Sequence, residues 1–263
     1  MIDIQKQLEE RRNWLEYLVR EVKPGKIVEF GCGSGFVLEI LAKEFPDSII
    51  IGVDKVYQRL ENVAEKNLKN VIPVNADFTQ NIFPNNVFDT AMFVGTLHEV
   101  FSYHGEKEMD RVIKMGYDVL KNSGILIIQD FVAPLPKPVK MIFKNRATKN
   151  KFFRFAREFR PRKVAFKEIE HGVEVDIRDA LEFISKYRSP DEDDWEEEMS
   201  EIHFFFTGKD FQKILQKTGF EVKNIIRLSK SKDWFTSIQK DIEFESLTEY
   251  QWIQLVGVKT ERI

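Results

Sequence analysis

Three carboxylates and three glycines in the first third of the chain have the types and spacing for ligand chemistry. Residues 28–35 read VEFGCGSG, which places Glu29 two positions before Gly31 and repeats glycine at Gly33 and Gly35. Asp54 closes the run SIIIGVD (48–54), and Asp77 closes NVIPVNAD (70–77) beside Phe78. Glycine allows backbone angles other residues resist and lets a ligand approach the main chain. Carboxylates accept hydrogen bonds from hydroxyls and amines. A second group lies further along. His98 sits in GTLHEVFSYHG (95–105), where its imidazole could act as a general base toward a hydroxyl or amine. Asp130 ends GILIIQD (124–130) and could orient an acceptor. The competing reading of both is structural, with His98 and Glu99 stabilising a loop and the start of the next helix.

These residues need elements to position them. Helical periodicity over residues 3–21 stops at Pro24-Gly25. Short apolar runs then alternate with amphipathic ones. Strands are expected at 26–30, 48–54, 70–77, 87–95 and 124–130, and helices at 36–45, 58–68 and 106–120. That alternation implies a parallel sheet covered on both faces. After about seventy residues without the rhythm, TGKDFQKILQKTGF (207–220) predicts a helix capped by Thr207 and ended by Gly219. EVKNIIRL (221–228) and YQWIQLVGVKT (250–260) supply two more strands, making seven.

A strand running into glycines and then a helix forms a ligand-binding turn at the carboxyl edge of such a sheet. A Walker loop would need Gly-Lys-Ser/Thr, but Phe36 follows Gly35; a dinucleotide loop would need glycine where Phe36 stands. What remains is E-x-G-x-G-x-G from Glu29 to Gly35. This pattern resembles motif I of the class I S-adenosylmethionine-dependent methyltransferases. The resemblance extends to Asp54, Asp77, the VFDTAMFVG segment (87–95) and Gly219-Phe220, and spans roughly residues 20–131 and 203–260. It implies that Asp54 binds ribose hydroxyls and that Asp77 meets the adenine amino group beside Phe78. Glu29 would face the amino group of the methionine part, and Gly95 would reach the cofactor side. It also implies S-adenosyl-L-methionine as methyl donor and S-adenosyl-L-homocysteine as product, with no metal required. Cys32 occupies a variable position of the motif and reads as packing.

The implied fold is α/β: a seven-stranded Rossmann-like methyltransferase fold with a mostly parallel sheet, helices on both faces, and an inserted, mainly helical lid. Residues 1–131 and 203–263 would form the core, and 132–202 the lid that recognises the acceptor. The first part of that insertion is basic, with twelve Lys/Arg and only Glu158 acidic between Lys137 and Lys167. Phe152, Phe155, Ala156 and Phe159 recur at helical spacing. The segment could recruit an anionic small molecule or RNA, or adsorb to anionic lipid. Equally, its phenylalanines could pack down while its charges pair with the eight acidic residues of 189–201. His171, Tyr187 and His203 could line an acceptor pocket.

A net charge of −3 does not by itself suggest a nucleic-acid binder, and a single cysteine excludes an internal disulfide. No apolar stretch approaches ~18 residues, so no transmembrane helix is expected, and a cytoplasmic protein is the default reading. The expectation is direct in-line methyl transfer to a small, possibly anionic, acceptor. An RNA methyltransferase, a cyclase or lyase that uses adenosylmethionine without methylating, and a non-catalytic binding subunit stay open as alternatives.

Overall fold

The computed structural model describes residues 14–229, 232–244 and 250–261. Of the helix expected over 3–21, residues 14–21 form α1, and the remainder lies outside the described residues. Next come β1 (Lys26–Phe30), α2 (Phe36–Glu44), β2 (Ile49–Asp54), α3 (Tyr57–Glu65), β3 (Val71–Asn75), β4 (Phe88–Val94), α4 (Leu97–Val119) and β5 (Leu120–Phe131). After an insertion, α8 (Gly208–Thr218) leads into β9 (Phe220–Ser229) and then β11 (Tyr250–Lys259). These strands form one sheet in the order β3-β2-β1-β4-β5-β11-β9. The first five are parallel, and β11 runs antiparallel to both neighbours. The seven-stranded, mostly parallel sheet is thus as expected.

The burial of these strands explains their composition. Val28, Phe30, Ala91, Phe93, Leu126 and Ile128 face one layer of helices, while Ile27, Ile50, Met92 and Ile127 face the other. A strand covered on both faces has no polar side, so it reads as a continuous apolar run. Strand order reverses between β1 and β4, which opens a crevice at their carboxyl ends.

The helix α8 is closed at both ends as its sequence requires. The Thr207 Oγ1 accepts from the Asp210 backbone N–H, and the Asp210 carboxylate accepts from the Thr207 N–H, a reciprocal capping box. Thr207→Ala is expected to cost about 1 kcal/mol, read as a Tm lowered by about 2–4 °C for a chain of this size.

The insertion is richer than a helical lid. Its helices α5 (Arg146–Glu158), α6 (Ile177–Lys186) and α7 (Glu192–Glu198) accompany β6 (Pro138–Phe143), β7 (Phe166–Ile169) and β8 (Gly172–Asp176). With β10 (Ile242–Phe244), these strands form a four-stranded antiparallel sheet in the order β10-β6-β8-β7. The cause is visible in the alternation of β6 and β8, where Val139, Met141, Phe143, Val173 and Val175 turn inward. A helix α9 (Lys232–Ile238) and β10, both beyond residue 203, complete this second lobe, and Ile238 and Ile242 enter its core.

Phe152 and Phe155 are fully buried in that core and Phe159 nearly so, so none of the three is presented to a membrane. Part of the basic face is engaged within the lobe. Arg154 pairs with Glu158 and Glu192, Arg162 with Asp179, and Arg160 donates to Ser200 Oγ at 2.6 Å. No helix among the described residues is long and apolar enough to cross a membrane.

Candidate active site

Two adjoining hollows open at the carboxyl edge of the sheet, one over β1 and β4 and one over β2 and β3. The first, about 350 Å³, is floored by Glu29, Gly31, Gly33, Val94 and Gly95 and walled by Trp14, His98, Phe131 and Trp252. The second, about 70 Å³, lies among Asp54, Asp77, Phe78, Thr79 and Tyr103. Gly31 and Arg59 border both.

The loop after β1 is held open by its glycines and by Asp54. Gly31 adopts a left-handed φ of 75°, and a Cβ there would fall 2.5 Å from the Thr96 Cγ2. Gly33, at φ 53°, would point its Cβ into open space, the direction from which a ligand reaches the backbone. The buried Asp54 carboxylate accepts from the Gly33 N–H through Oδ2 and from the Val56 N–H through Oδ1, each at 2.8 Å. A carboxylate offers about four lone-pair positions, so Asp54 keeps capacity for further donors. Glu29 is 2% exposed, and its Oε2 has no hydrogen-bond partner. Burial, followed by the nearby Asp54 charge, pushes its carboxyl well above the usual range. The Cys32 thiol is likewise driven up by burial, so it is an inert packing group.

In the second hollow, Asp77 accepts from both the N–H and hydroxyl of Thr79 through Oδ1. The Thr79 hydroxyl, more than any other group, lowers its carboxyl pKa. Phe78 is fixed against Phe30 and Phe93, at ring separations of 5.6 and 6.0 Å, so it forms a rigid wall.

On the other side, Asp130 is completely buried and accepts from the N–H groups of Leu97, His98 and Phe131. Its Oδ1 also meets the His98 Nδ1 at 2.8 Å. Burial works against the imidazolium, but the Asp130 charge and hydrogen bond outweigh it, and the His98 pKa is raised. The structural reading of Asp130, as the group that starts α4, therefore holds alongside its hold on the ring. The second lobe meets the core at this place. His203 stacks on Phe131 at 4.1 Å and approaches His98 edge-on at 5.0 Å. Tyr103 Oη donates to Glu201 at 3.1 Å, and the Ile202 N–H donates to Ser102 Oγ at 2.8 Å.

A family model described as a methyltransferase domain matches residues 4–225. The chain belongs to the class I S-adenosylmethionine-dependent methyltransferases. Over 120 residues it is 29% identical to a demethylmenaquinone methyltransferase of Thermotoga maritima, covering 46% of this chain and 49% of that one. The chain thus matches about half the length of this curated relative. Among solved structures, an S-adenosylmethionine-dependent methyltransferase from Mesorhizobium loti superposes with a TM-score of 0.60 at 14% identity, covering 96% of this chain and all of the other. A Burkholderia thailandensis 1,6-didemethyltoxoflavin-N1-methyltransferase, with bound 1,6-didemethyltoxoflavin and S-adenosylhomocysteine, gives 0.57 at 12% identity over 98% and 82%. At these identities the structures speak for the fold alone.

The methyltransferase's own residues fit adenosylmethionine. The unpartnered Glu29 carboxylate awaits a donor such as an ammonium, and the open face of Gly33 has room for a ligand against the main chain. The residues expected from the sequence, Glu29, Gly31, Gly33, Asp54, Asp77, Phe78 and Gly95, border the two hollows, and Gly35 starts α2 behind them at φ 77°. Sequence reasoning missed Trp252, whose indole Nε1 is also without a partner and whose ring packs over Gly95. The antiparallel placement of the last strand brings its beginning to the carboxyl edge, a placement that the residues around Trp252 do not signal. Tyr187 and His171 were candidates for the acceptor pocket, with a structural role as the commoner reading, and the structural role is where the fold puts Tyr187. It packs in the second lobe, with its hydroxyl on Asp241, and the exposed His171 faces Glu170.

Proposed function

We propose that this methyltransferase transfers a methyl group to a small-molecule acceptor held between the sheet edge and the second lobe. The observation that carries the reading is the larger hollow. It is compact, and it sets Phe131, Trp14 and Trp252 beside the polar side chains of Glu29, Arg59, His98, Glu99 and Gln129, a size and mixed lining that suit a small organic molecule better than a nucleic-acid backbone. Pairing of Arg154 and Arg162 within the second lobe also weighs against RNA. Two of the similar proteins, the demethylmenaquinone and 1,6-didemethyltoxoflavin enzymes, are named for acceptors of this kind.

In this reading Asp54 takes the ribose hydroxyls, while Asp77 and Phe78 take the adenine edge and face. Glu29 takes the ammonium, and Gly31, Gly33, Gly35 and Gly95 let the main chain approach. The sulfonium of adenosylmethionine supplies an activated methyl group. The protein's task is then to align the acceptor in line and exclude competing water. His98 stands on the acceptor side with Asp130 as its positioning residue. The second lobe, residues 132–202 together with 232–244, closes the acceptor side over the core.

The test is to incubate the enzyme with adenosylmethionine and a panel of small acceptors, anionic ones included, and measure adenosylhomocysteine. Acceptor-dependent product is expected. Release of methylthioadenosine would instead reveal a non-methylating reaction, and turnover with RNA alone would overturn the small-molecule reading.

A further inference from the structure

His98 is not alone at the lobe junction. One ring nitrogen each of His98 and His203 and a carboxylate oxygen of Glu201 lie within 4.8 Å of one another, and all three residues are buried. They come from the start of α4 and from the segment between α7 and α8, about a hundred residues apart in sequence. We propose that His98, His203 and Glu201 form a binding site for a divalent transition-metal ion, which would hold an oxygen-bearing acceptor beside the methyl donor. This deepens the functional reading above and rests on it for the location of the acceptor.

Three observations carry the proposal. First, both imidazoles are oriented as ligands are. His98 uses Nδ1 for the Asp130 carboxylate at 2.8 Å, and His203 uses Nδ1 for Ser185 Oγ at 3.0 Å. Each therefore directs Nε2 away from a supporting partner. A carboxylate or hydroxyl behind a histidine is the usual outer support of a metal-bound ring. Second, the His203 Nε2 already lies 3.8 Å from Glu201 Oε2 and 3.6 Å from Glu198 Oε2, while Tyr103 holds the other Glu201 oxygen. Third, the local charge is unbalanced. Asp130, Glu182, Glu198 and Glu201 bring four carboxylates to this junction against the Lys186 ammonium, which meets Glu198 at 2.9 Å and Glu182 at 3.6 Å. Asp130 and Glu182 spend oxygens on backbone N–H groups, whereas Glu201 meets the neutral Tyr103 hydroxyl and lies beside the His203 ring. Buried negative charge of this kind is relieved by a bound cation.

Two imidazoles and one carboxylate suit zinc, iron or nickel rather than magnesium or calcium, and three protein ligands leave positions open for a further group. Of the three, His98 is a wall of the larger hollow, so an acceptor in that hollow would reach the ion from the His98 side. A bound cation and a proton cannot share the His98 Nε2. In the loaded enzyme the histidine is thus a ligand, and the cation takes over the polarisation of the acceptor.

The experiment is calorimetric titration of Zn²⁺ into the full chain after chelator treatment, with Mg²⁺ as the contrasting ion. One Zn²⁺ site is expected in the wild type, with affinity at least about tenfold weaker in Ser185→Ala, as for loss of an outer support, and still weaker in His203→Ala and Glu201→Gln. Substituting Co²⁺ should give visible absorption that the same variants lose. Adenosylmethionine binding by each variant shows that it is folded and is expected to stay near wild type, whereas Asp54→Ala should retain Zn²⁺. No Zn²⁺ binding by the wild type, or equal binding by folded His203→Ala and Glu201→Gln, would overturn the metal site without touching the methyltransferase reading.

Discussion

Asp54→Ala is expected to weaken adenosylmethionine binding by at least about a hundredfold, measured by calorimetry on protein whose circular dichroism matches wild type. The size follows from what the carboxylate does. Each hydrogen bond from a ligand hydroxyl to a charged acceptor contributes about 1.5–3 kcal/mol, and the ribose diol offers two. Alanine would also leave the Gly33 and Val56 N–H groups, each 2.8 Å from the carboxylate, without their acceptor. The glycine loop would then lose one of its ties to the end of β2, keeping the bonds from the Gly31 and Cys32 N–H groups to the Val53 carbonyl. Asp54→Asn makes a useful intermediate. One amide oxygen can still accept, but the amide N–H₂ would confront either the Gly33 or the Val56 donor, so affinity should fall between wild type and alanine. Unchanged binding in the alanine variant would show that the ribose is held elsewhere.

The cofactor side was legible in the sequence because its determinants are local. Glu29 lies at the end of β1 and Gly31, Gly33 and Gly35 in the turn after it, Asp54 ends β2 and Asp77 follows β3, so a parallel sheet brings them to one edge without any long-range guess. Trp252 was less visible, since its position depends on β11 running antiparallel beside β5. The second sheet was missed for another reason. Its strands span three to six residues, β6 and β7 lie amid Lys- and Phe-rich sequence, and β10 joins β6 from about a hundred residues away. Residues 132–202 therefore offer helical periodicity in α5 and α6 more plainly than they offer pairing. The meeting of His98 with His203 and Glu201 could not be read at all. It exists only because the second lobe is docked on α4 and β5.

That docking is itself specified by polar contacts. Glu182, fully buried on α6, accepts from the N–H groups of His203 and Phe204, which holds their backbone to the second lobe. The adjoining residues then bind the core through Ile202 and Ser102, Glu201 and Tyr103, and the Phe131–His203 stack. A buried carboxylate bonded to two N–H groups fixes its partners' positions more narrowly than apolar packing does. The junction between the lobes is thus set by the segment that carries Glu201 and His203.

Glu29→Gln is expected to move stability and cofactor affinity in opposite directions. The wild-type carboxyl is 2% exposed, and its Oε2 lacks a partner, so ionising it in the ligand-free protein is costly. Burial and Asp54 raise its pKa above the unfolded value. For a carboxyl raised in the folded state, the stability contribution is present at low pH and is lost as pH rises through the raised pKa. The apo wild type should therefore soften on the alkaline side of that pKa. The glutamine variant, which cannot ionise there, should lose this pH dependence and exceed wild type by about 1 kcal/mol or more at alkaline pH, roughly 2–4 °C in Tm for each kcal/mol. With adenosylmethionine the order should reverse. The ammonium would meet a carboxylate in the wild type and a neutral amide in the variant, a loss of about 1.5–3 kcal/mol, or roughly ten- to a hundredfold in affinity. Melting curves across pH, with and without saturating cofactor, read both effects in one series. A variant that is less stable than wild type at alkaline pH, or that binds the cofactor equally well, would remove Glu29 from the ligand's path and make it a core residue only.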